Sequence, residues 1–314
     1  MSASPRPNRL PLRRAWELLE QREHERYRIA RGVDIPLRPG LSNVQRYSIH
    51  NSKLHRADNR YSDVNAYDQT AVKPGGEFLN ANIVGDGTGR WWVAAQVRLH
   101  EAAALLDNSA SEAAERDPHL LKTRNKKDVI LIQLTGWVER GIEKACPYMP
   151  LTFKSKHGDE IHLRLKKQER KPELGSVYSE LEVTDGDAAK VVHHYFFSSW
   201  PDHGVPEGEN VECLRRLVED IARQSGTDRG EQECEVWVHC SAGVGRTGTF
   251  IALSSLFYPQ PRTYETDDLE ALGGDPIAET VEVIRRSRNI LVQAPQQLKL
   301  IYDMMEEYGN RSVH

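Results

Sequence analysis

The sequence predicts an α/β protein, a single domain with a twisted mixed β-sheet flanked by helices. Two patterns lead there. Apolar or alternating runs of strand length recur at Trp91–Gln96, Val129–Leu134, Leu151–Lys154, Ile161–Lys166, Val177–Val183 and Val191–Phe197, and stretches with helical spacing surround them. The second pattern is the passage of an apolar run, Glu235-Val236-Trp237-Val238-His239, through a short glycine-bearing loop into the helical stretch Thr249–Leu256. Strands that alternate with helices in this way build α/β sheets. At 314 residues the chain suffices for one large domain or two small ones. One domain of that size buries about three-quarters of its unfolded surface.

Taken in order, residues 1–9 are rich in Ser, Pro and Arg and are expected to be disordered. Residues 10–40 form an N-terminal helical extension. Within it Ala15-Trp16, Leu18-Leu19, Tyr27 and Ile29 recur among charges, the pattern of one amphipathic helix from Leu12 to about Ala30. That helix either packs on the body of the protein or binds a partner. The turn Thr184-Asp185-Gly186-Asp187 joins the last two predicted strands as a hairpin. Helices follow at Asn210–Arg223, from Val211, Leu214, Leu217, Val218 and Ile221, then at Pro276–Arg286 and Pro295–Tyr308. Two polar stretches, Asn108–Asp128 and Pro259–Asp275, read as surface loops that either connect elements or recognise a ligand. Residues 309–314 form a tail.

The formal charge of −4 is small and dispersed, so no basic field points to nucleic acid. No run of about 18 apolar residues is present, and the start of the chain lacks a signal-type apolar core, so membrane insertion and export are not expected. Cys146, Cys213, Cys234 and Cys240 have neither disulfide-like nor metal-like spacing, which suits a reducing, cytoplasmic compartment. His193 and His194 are adjacent on a predicted strand and face opposite sides, a poor arrangement for a metal. No metal site is expected.

The stretch with the most chemistry is His239-Cys240-Ser241-Ala242-Gly243-Val244-Gly245-Arg246-Thr247-Gly248. Successive N–H groups from Ser241 to Arg246 can curl into a nest at a helix N-terminus, where unpaired donors and the helix dipole favour an oxyanion. The same field stabilises a thiolate. A cysteine so placed can drop from about 8.5 into the range of about 3.5–7.5. Arg246 can hold two phosphate oxygens in its planar fork, and Gly243 and Gly245 let the backbone approach closely.

This loop is similar to the His-Cys-x-x-Gly-x-x-Arg-Ser/Thr signature of cysteine-dependent protein tyrosine phosphatases, and residues 41–308 resemble the tyrosine-specific catalytic domain. Four further segments resemble that family in the same order. Asn59-Arg60-Tyr61-Ser62-Asp63-Val64 with Tyr67-Asp68 resembles its phosphotyrosine-recognition loop, followed by Phe78-Leu79-Asn80-Ala81-Asn82. Val138-Glu139-x-Gly141-x-x-Lys144, with Tyr148 and Pro150, resembles a supporting loop; Trp200-Pro201-Asp202-His203-Gly204-Val205-Pro206 resembles the mobile general-acid loop. Gln293 and Gln297 match the glutamine loop. The chain departs from the family at Ala66, Ala71, Ala95, Val97, Arg98 and Met149, positions of scaffold or rim.

The resemblance implies phosphotyrosine-containing protein substrates and hydrolysis through a cysteinyl-phosphate, with no metal or cofactor. Cys240 is then the nucleophile, Asp202 the general acid and base, and Gln293 orients water. Thr247 stabilises the departing thiolate. His239 either orders the loop from behind or is a satisfied core residue. Tyr61 walls a deep slot, Asp63 meets the substrate backbone, and Ser241, Ala242, Gly243, Val244, Gly245 and Gln297 line the phosphate site. Glu139 fixes Arg246 and Lys144 engages the Asp202 loop, or both pair on the surface; Arg60 and Trp200 support the site. Arg285 and Arg288 either support its surroundings or end an exposed helix. A single domain follows, because these residues come from distant parts of the chain. A catalytically dead phosphotyrosine-binding module and an inositide phosphatase are the competing readings; intact Cys240, Arg246 and Asp202 oppose the first, and Ala242 and Val244, where lysines would stand, oppose the second.

Overall fold

Eight strands form one sheet in the order β1-β2-β10-β3-β9-β8-β7-β6 in the computed structural model of the chain. The structure describes residues 8–33, 44–73, 78–96, 128–145, 151–154, 160–185, 188–202, 204–230, 232–262 and 267–311. The strands are β1 Ala81–Gly85, β2 Trp91–Ala95, β3 Asp128–Gln133, β6 Leu151–Lys154, β7 Glu160–Lys171, β8 Ser176–Asp185, β9 Ala188–Phe196 and β10 Glu235–His239. The central four, β2, β10, β3 and β9, run parallel, while β1 at one edge and β8, β7 and β6 toward the other pair antiparallel. A separate two-stranded hairpin joins β4 Val138–Glu139 to β5 Ile142–Glu143.

Among the described residues the α-helices are α1 Leu12–Ala30, α2 His50–Leu54, α3 Glu209–Ser225, α4 Gly245–Phe257, α5 Pro276–Arg285 and α6 Pro295–Arg311. Period-two alternation sorts the central strands between two cores. Ile130, Ile132, Val236 and Val238 pack with α3, α4, α5 and α6, whereas Val129, Leu131 and Trp237 face the second cluster with Trp91, Val93 and Leu181. All of β10 and all of α4 are buried. Burial all round explains why α4 has no polar stripe in its sequence.

Every predicted strand and helix is present, with ends shifted by a few residues except at β7. That strand extends to Lys171 through a bulge between Leu165 and Lys167, beyond the run Ile161–Lys166 read from the sequence. Its outer half is charged and its side chains are largely exposed, so composition alone hides it. The hairpin is present, with Asp185 opposite Ala188, so Thr184 and Asp185 belong to the strand rather than the turn. The expectations for residues 1–7, 108–127 and 312–314, and for Cys146, Tyr148, Met149 and Pro150, lie outside the described residues. Among the described residues no helix is long and apolar enough to cross a membrane.

The reading of 259–275 as a surface loop needs correction. Asp267–Leu272 is a 3₁₀ helix with Leu269 and Leu272 in the core, and Asp275 caps α5 by accepting from the amides of Ile277 and Ala278 at 2.9 and 3.2 Å. Polar residues here pair with charges from α1 and α5. Arg22 reaches Asp268 (3.4 Å) and Glu282 (3.3 Å), Arg26 donates to both oxygens of Glu282 (2.9 and 3.0 Å), and Arg286 bonds Asp268 (2.5 Å). With Ala15 and Leu19 also in the main core, α1 packs on the body of the protein.

Glu282 is 1% exposed. Burial alone would push its carboxyl up, but Arg26, Arg22 and Arg286 hold it below the ordinary carboxylate range. Its contribution to stability is therefore complete above the ordinary glutamate value of about 4.3 and is lost as pH falls through the depressed folded value. Glu282→Gln leaves buried guanidinium groups uncompensated and should cost about 3–5 kcal/mol at neutral pH. Urea melts of both proteins should show that gap at pH 7 and a smaller one in acid below the depressed value.

Candidate active site

The carboxyl ends of the parallel strands converge on one cleft, the usual place for a ligand in an open α/β sheet. β10 ends at His239 and delivers Cys240, β3 leads to Leu134 and Thr135, β9 leads to Trp200 and Asp202, and β2 leads to Gln96. A cavity of about 180 Å³ lies there, lined by Cys240, Arg246, Asp202, Lys144, Tyr61 and Gln293 among others.

Residues 240–244 form the bend before α4. Gly243 has φ +68°, and a Cβ on it would lie 2.0 Å from the Ala95 carbonyl oxygen, so only glycine fits. Gly248 meets an equal constraint inside the helix, where a Cβ would approach the Val292 nitrogen to 2.4 Å. The loop is also held from outside. Arg288, fully buried, donates to the carbonyls of Gly243 (2.8 Å) and Ala242 (3.1 Å) and to Asn82 Oδ1 (2.8 Å). These bonds turn two loop carbonyls outward, away from an anion, and replace the exposed helix end that the sequence left open.

Cys240 is 4% exposed. Burial pushes its thiol up, yet the Arg246 charge, the Thr247 hydroxyl and the amides of Thr247 and Val244 outweigh it and bring the thiol below its ordinary value. The Thr247 hydroxyl is buried and has no nitrogen or oxygen partner, so the sulfur is the group it serves. His239 is buried and held near 4 by desolvation, offset by its bond to the backbone. Its neutral ring donates from Nδ1 to the Cys240 carbonyl at 3.1 Å. Behind it His194, pushed down to about 3 by burial and by His239, bonds Gln133 at 3.1 Å, while His193 bonds Tyr178 at 2.8 Å.

Arg246 forms a bidentate pair with Glu139, at 2.6 and 2.9 Å, and donates to the carbonyls of Leu134 (2.9 Å) and Trp200 (3.2 Å). Glu139 is aimed by the Thr135 hydroxyl and the Gly136 amide. It projects from the β4–β5 hairpin, whose Arg140 and Gly141 both have positive φ, the twist-matched two-residue turn. The remaining Nη2 hydrogen goes to Asp202 Oδ1 at 2.7 Å, and Lys144 Nζ holds Asp202 Oδ2 at 2.6 Å. Asp202 thus occupies a donor that the sequence reading assigned to a phosphate oxygen. Trp200 anchors its loop from full burial, donating to the Gly204 carbonyl at 3.0 Å.

Tyr61 and Ser241 are joined at 2.6 Å. Ser241 donates its one hydroxyl hydrogen to the Lys144 carbonyl at 3.3 Å, so Tyr61 is the donor to Ser241. The Tyr61 segment is fixed by Gln96 and Asn80, to which sequence reasoning gave no role, and by Arg60. Gln96 accepts from the Arg60 amide (2.9 Å) and donates to the Val64 carbonyl (3.2 Å), and Asn80 bonds Asn59 (2.6 Å) and Val64 (2.8 Å). Arg60 donates to the Glu143 carbonyl.

Gln293 and Gln297 complete the cavity wall. The loop before them holds two β-branched residues, Ile290 and Val292, in the left-handed region at φ 49° and 59°. Arg285 clamps it, donating to the carbonyls of Leu291 (2.7 Å) and Val292 (2.8 Å), and reaches back to α1 through the Leu19 carbonyl and Glu20 (3.2 Å each). The Val292 amide donates to the Val244 carbonyl at 3.2 Å.

Comparison with known proteins gives the chain's family. Residues 121–307 match the family described as protein-tyrosine phosphatase. The chain is 31% identical over 182 residues to the tyrosine-protein phosphatase corkscrew of Drosophila melanogaster, covering 57% of this chain and 20% of that protein. It is 26% identical over 268 residues to tyrosine-protein phosphatase 1 of Schizosaccharomyces pombe, covering 82% and 45%. The chain therefore spans less than half the length of these curated relatives. The crystal structure of the protein tyrosine phosphatase TbPTP1 from Trypanosoma brucei superposes with a TM-score of 0.65 at 25% identity, over 97% of this chain and 95% of that one. The family match takes in the thiol loop, Asp202, Glu139 and the glutamines, the residues that converge in the cleft; the chain belongs to the protein-tyrosine phosphatase family.

Proposed function

We propose that the chain hydrolyses phosphotyrosine in proteins through a cysteinyl-phosphate intermediate. The observation that supports this best is the meeting of an acidified Cys240 thiol with Arg246 and Asp202 in one cavity walled by Tyr61. Residues 41–308 serve as the catalytic unit, extended by the helix of residues 10–40. A cytoplasmic setting suits the three free thiols among the described residues, one of which must stay reduced to act.

The mechanism follows from the contacts. An entering phosphate monoester dianion takes the loop amides and the Arg246 Nη2 donor, which obliges Asp202 to leave that nitrogen. Released from Arg246 and set beside the phosphate dianion, the Asp202 carboxylate takes up a proton from solvent and turns to the bridging oxygen of the substrate. The Cys240 sulfur attacks phosphorus in line, the S–P bond forms, and the P–O bond to tyrosine breaks as Asp202 gives its proton to the phenolic oxygen. Phenoxide has an aqueous pKa near 10, so that proton matters. Water oriented by Gln293 then attacks phosphorus, Asp202 takes its proton, and the sulfur leaves as a thiolate stabilised by Thr247 and Arg246.

Three expectations follow from these roles. Iodoacetate should inactivate the protein well below pH 8, with phosphate or vanadate protecting, because the reactive thiol ionises below an ordinary cysteine; Cys240→Ser should abolish turnover while substrate binding remains. Alkylation that tracks an ordinary thiol would remove Cys240 from this role. Asp202→Ala should slow phosphotyrosine turnover by about 10²–10⁴ and affect an aryl phosphate with an acidic leaving group far less, with the basic limb of the pH–rate profile flattened. Tyr61→Ala should weaken phosphotyrosine binding by about 1 kcal/mol and narrow the preference over phosphoserine and phosphothreonine. Equal wild-type kcat/KM on matched phosphotyrosine and phosphothreonine peptides would move the protein to a dual-specificity reading.

A further inference from the structure

Gln293 follows a loop whose backbone is held against its own preference. Ile290 and Val292, both β-branched, stand at φ 49° and 59°, in a left-handed region that such residues keep only when their surroundings impose it. On one side the loop leans on α4: a Cβ at Gly248 would lie 2.4 Å from the Val292 nitrogen, and the Val292 amide donates to the Val244 carbonyl at 3.2 Å. Arg285 holds the other side. Fully buried, it donates from Nε to the Leu291 carbonyl at 2.7 Å and from Nη2 to the Val292 carbonyl at 2.8 Å, the two peptide units just before Gln293.

The outer end of the same guanidinium is seated on α1. Nη1 donates to the Leu19 carbonyl and to Glu20, at 3.2 Å each, and the centre of the Trp16 ring lies 5.5 Å from the guanidinium carbon. Glu20 is the one carboxylate paired with this charge among the described residues. A planar cation fixed by a helix at one edge can hold two carbonyls at the other, which the single charged tip of a lysine cannot span. The clamp is also selective. Cys240 is delivered by β10, Arg246 is held by Glu139, Leu134 and Trp200, Asp202 by Lys144, and the carbonyls of Ala242 and Gly243 by Arg288. Val244 stays tied to α4 through the Gly248 amide at 2.9 Å, and Gln297 accepts from the Ala294 amide at the start of its own helix. None of these contacts includes Arg285, so Gln293 is the group that shifts when the clamp opens.

We propose that α1, acting through Arg285, positions Gln293 and so governs the hydrolysis of the cysteinyl-phosphate but not its formation; this rests on the phosphatase reading above. In the governed step a water oxygen bonds phosphorus, its proton passes to Asp202, the S–P bond breaks, and phosphate and the Cys240 thiolate are released. Two variants test it: Arg285→Lys, and Trp16→Leu combined with Glu20→Ala, which loosens the seat on α1. After rapid mixing with a phosphotyrosine peptide and an acid quench, intact-protein mass spectrometry follows the phosphoryl group on Cys240. Its loss should slow by about 10–100-fold in Arg285→Lys, as when a group that orients a reactant moves by about an ångström, and by a smaller factor in the double variant. Release of the tyrosine peptide in the first turnover should match the wild type. Accordingly kcat should fall while kcat/KM, set by the steps up to departure of the tyrosine, stays unchanged and KM falls with kcat. A general loosening of the site would lower kcat/KM as well. Parallel losses of kcat and kcat/KM, or unslowed loss of the phosphoryl group in either folded variant, therefore overturn the role of α1; where a thermal melt shows that Arg285→Lys does not fold, the double variant decides. A wild-type protein that carries no phosphoryl group on Cys240 and releases no phosphate overturns the phosphatase reading and this proposal with it.

Discussion

The Arg246 guanidinium is the tie on which the cleft depends. The segments that follow strands β3 and β9 each offer it a carbonyl, Leu134 and Trp200, and the β4–β5 hairpin meets it through Glu139. A charge with 3% of its surface exposed is costly to bury. Glu139 compensates that cost, and the guanidinium in turn holds Glu139 below the usual carboxylate range against the opposing effect of burial. The pair does more than stabilise a binding site: it sets the distance between the thiol loop and the Trp200 loop, so a change at Glu139 reaches the acid loop through Arg246.

Two more arginines extend this arrangement outward. Arg288 holds carbonyls of the loop after Cys240 and joins it to Asn82 at the edge strand, and Arg285 joins the loop before Gln293 to α1. The loops of the cleft are therefore held mainly by charge-assisted bonds to backbone carbonyls, which are directional and strong when buried. Apolar packing supports them from beneath, where α4 lies wholly inside the helical core.

How much of this was legible in the sequence follows from how local each signal is. The His239–Gly248 run, the Trp200 segment and the two glutamines state their chemistry within a few residues, and alternating apolar runs marked the central strands. Gln96, Asn80 and Asn82 act on groups far along the chain, and nothing in their neighbourhood reveals that. Asp268 misled for a related reason: a polar segment looks solvated until the arginines that neutralise it, Arg22 and Arg286, arrive from other elements. The bond between Asp202 and Arg246 was equally hidden, because spacing cannot show which donor a distant carboxylate takes.

Ile290 and Val292 hold left-handed backbone that β-branched residues seldom adopt, at a cost of about 1–3 kcal/mol each. Arg285 and the Val244 carbonyl keep them there. Backbone ease and packing pull apart at this loop: glycine in either place would relax the left-handed turn, yet at Val292, fully buried in the main core, it would leave a hole whose cost outweighs the relief. The tension is kept because the side chain is worth more to the core than the backbone loses.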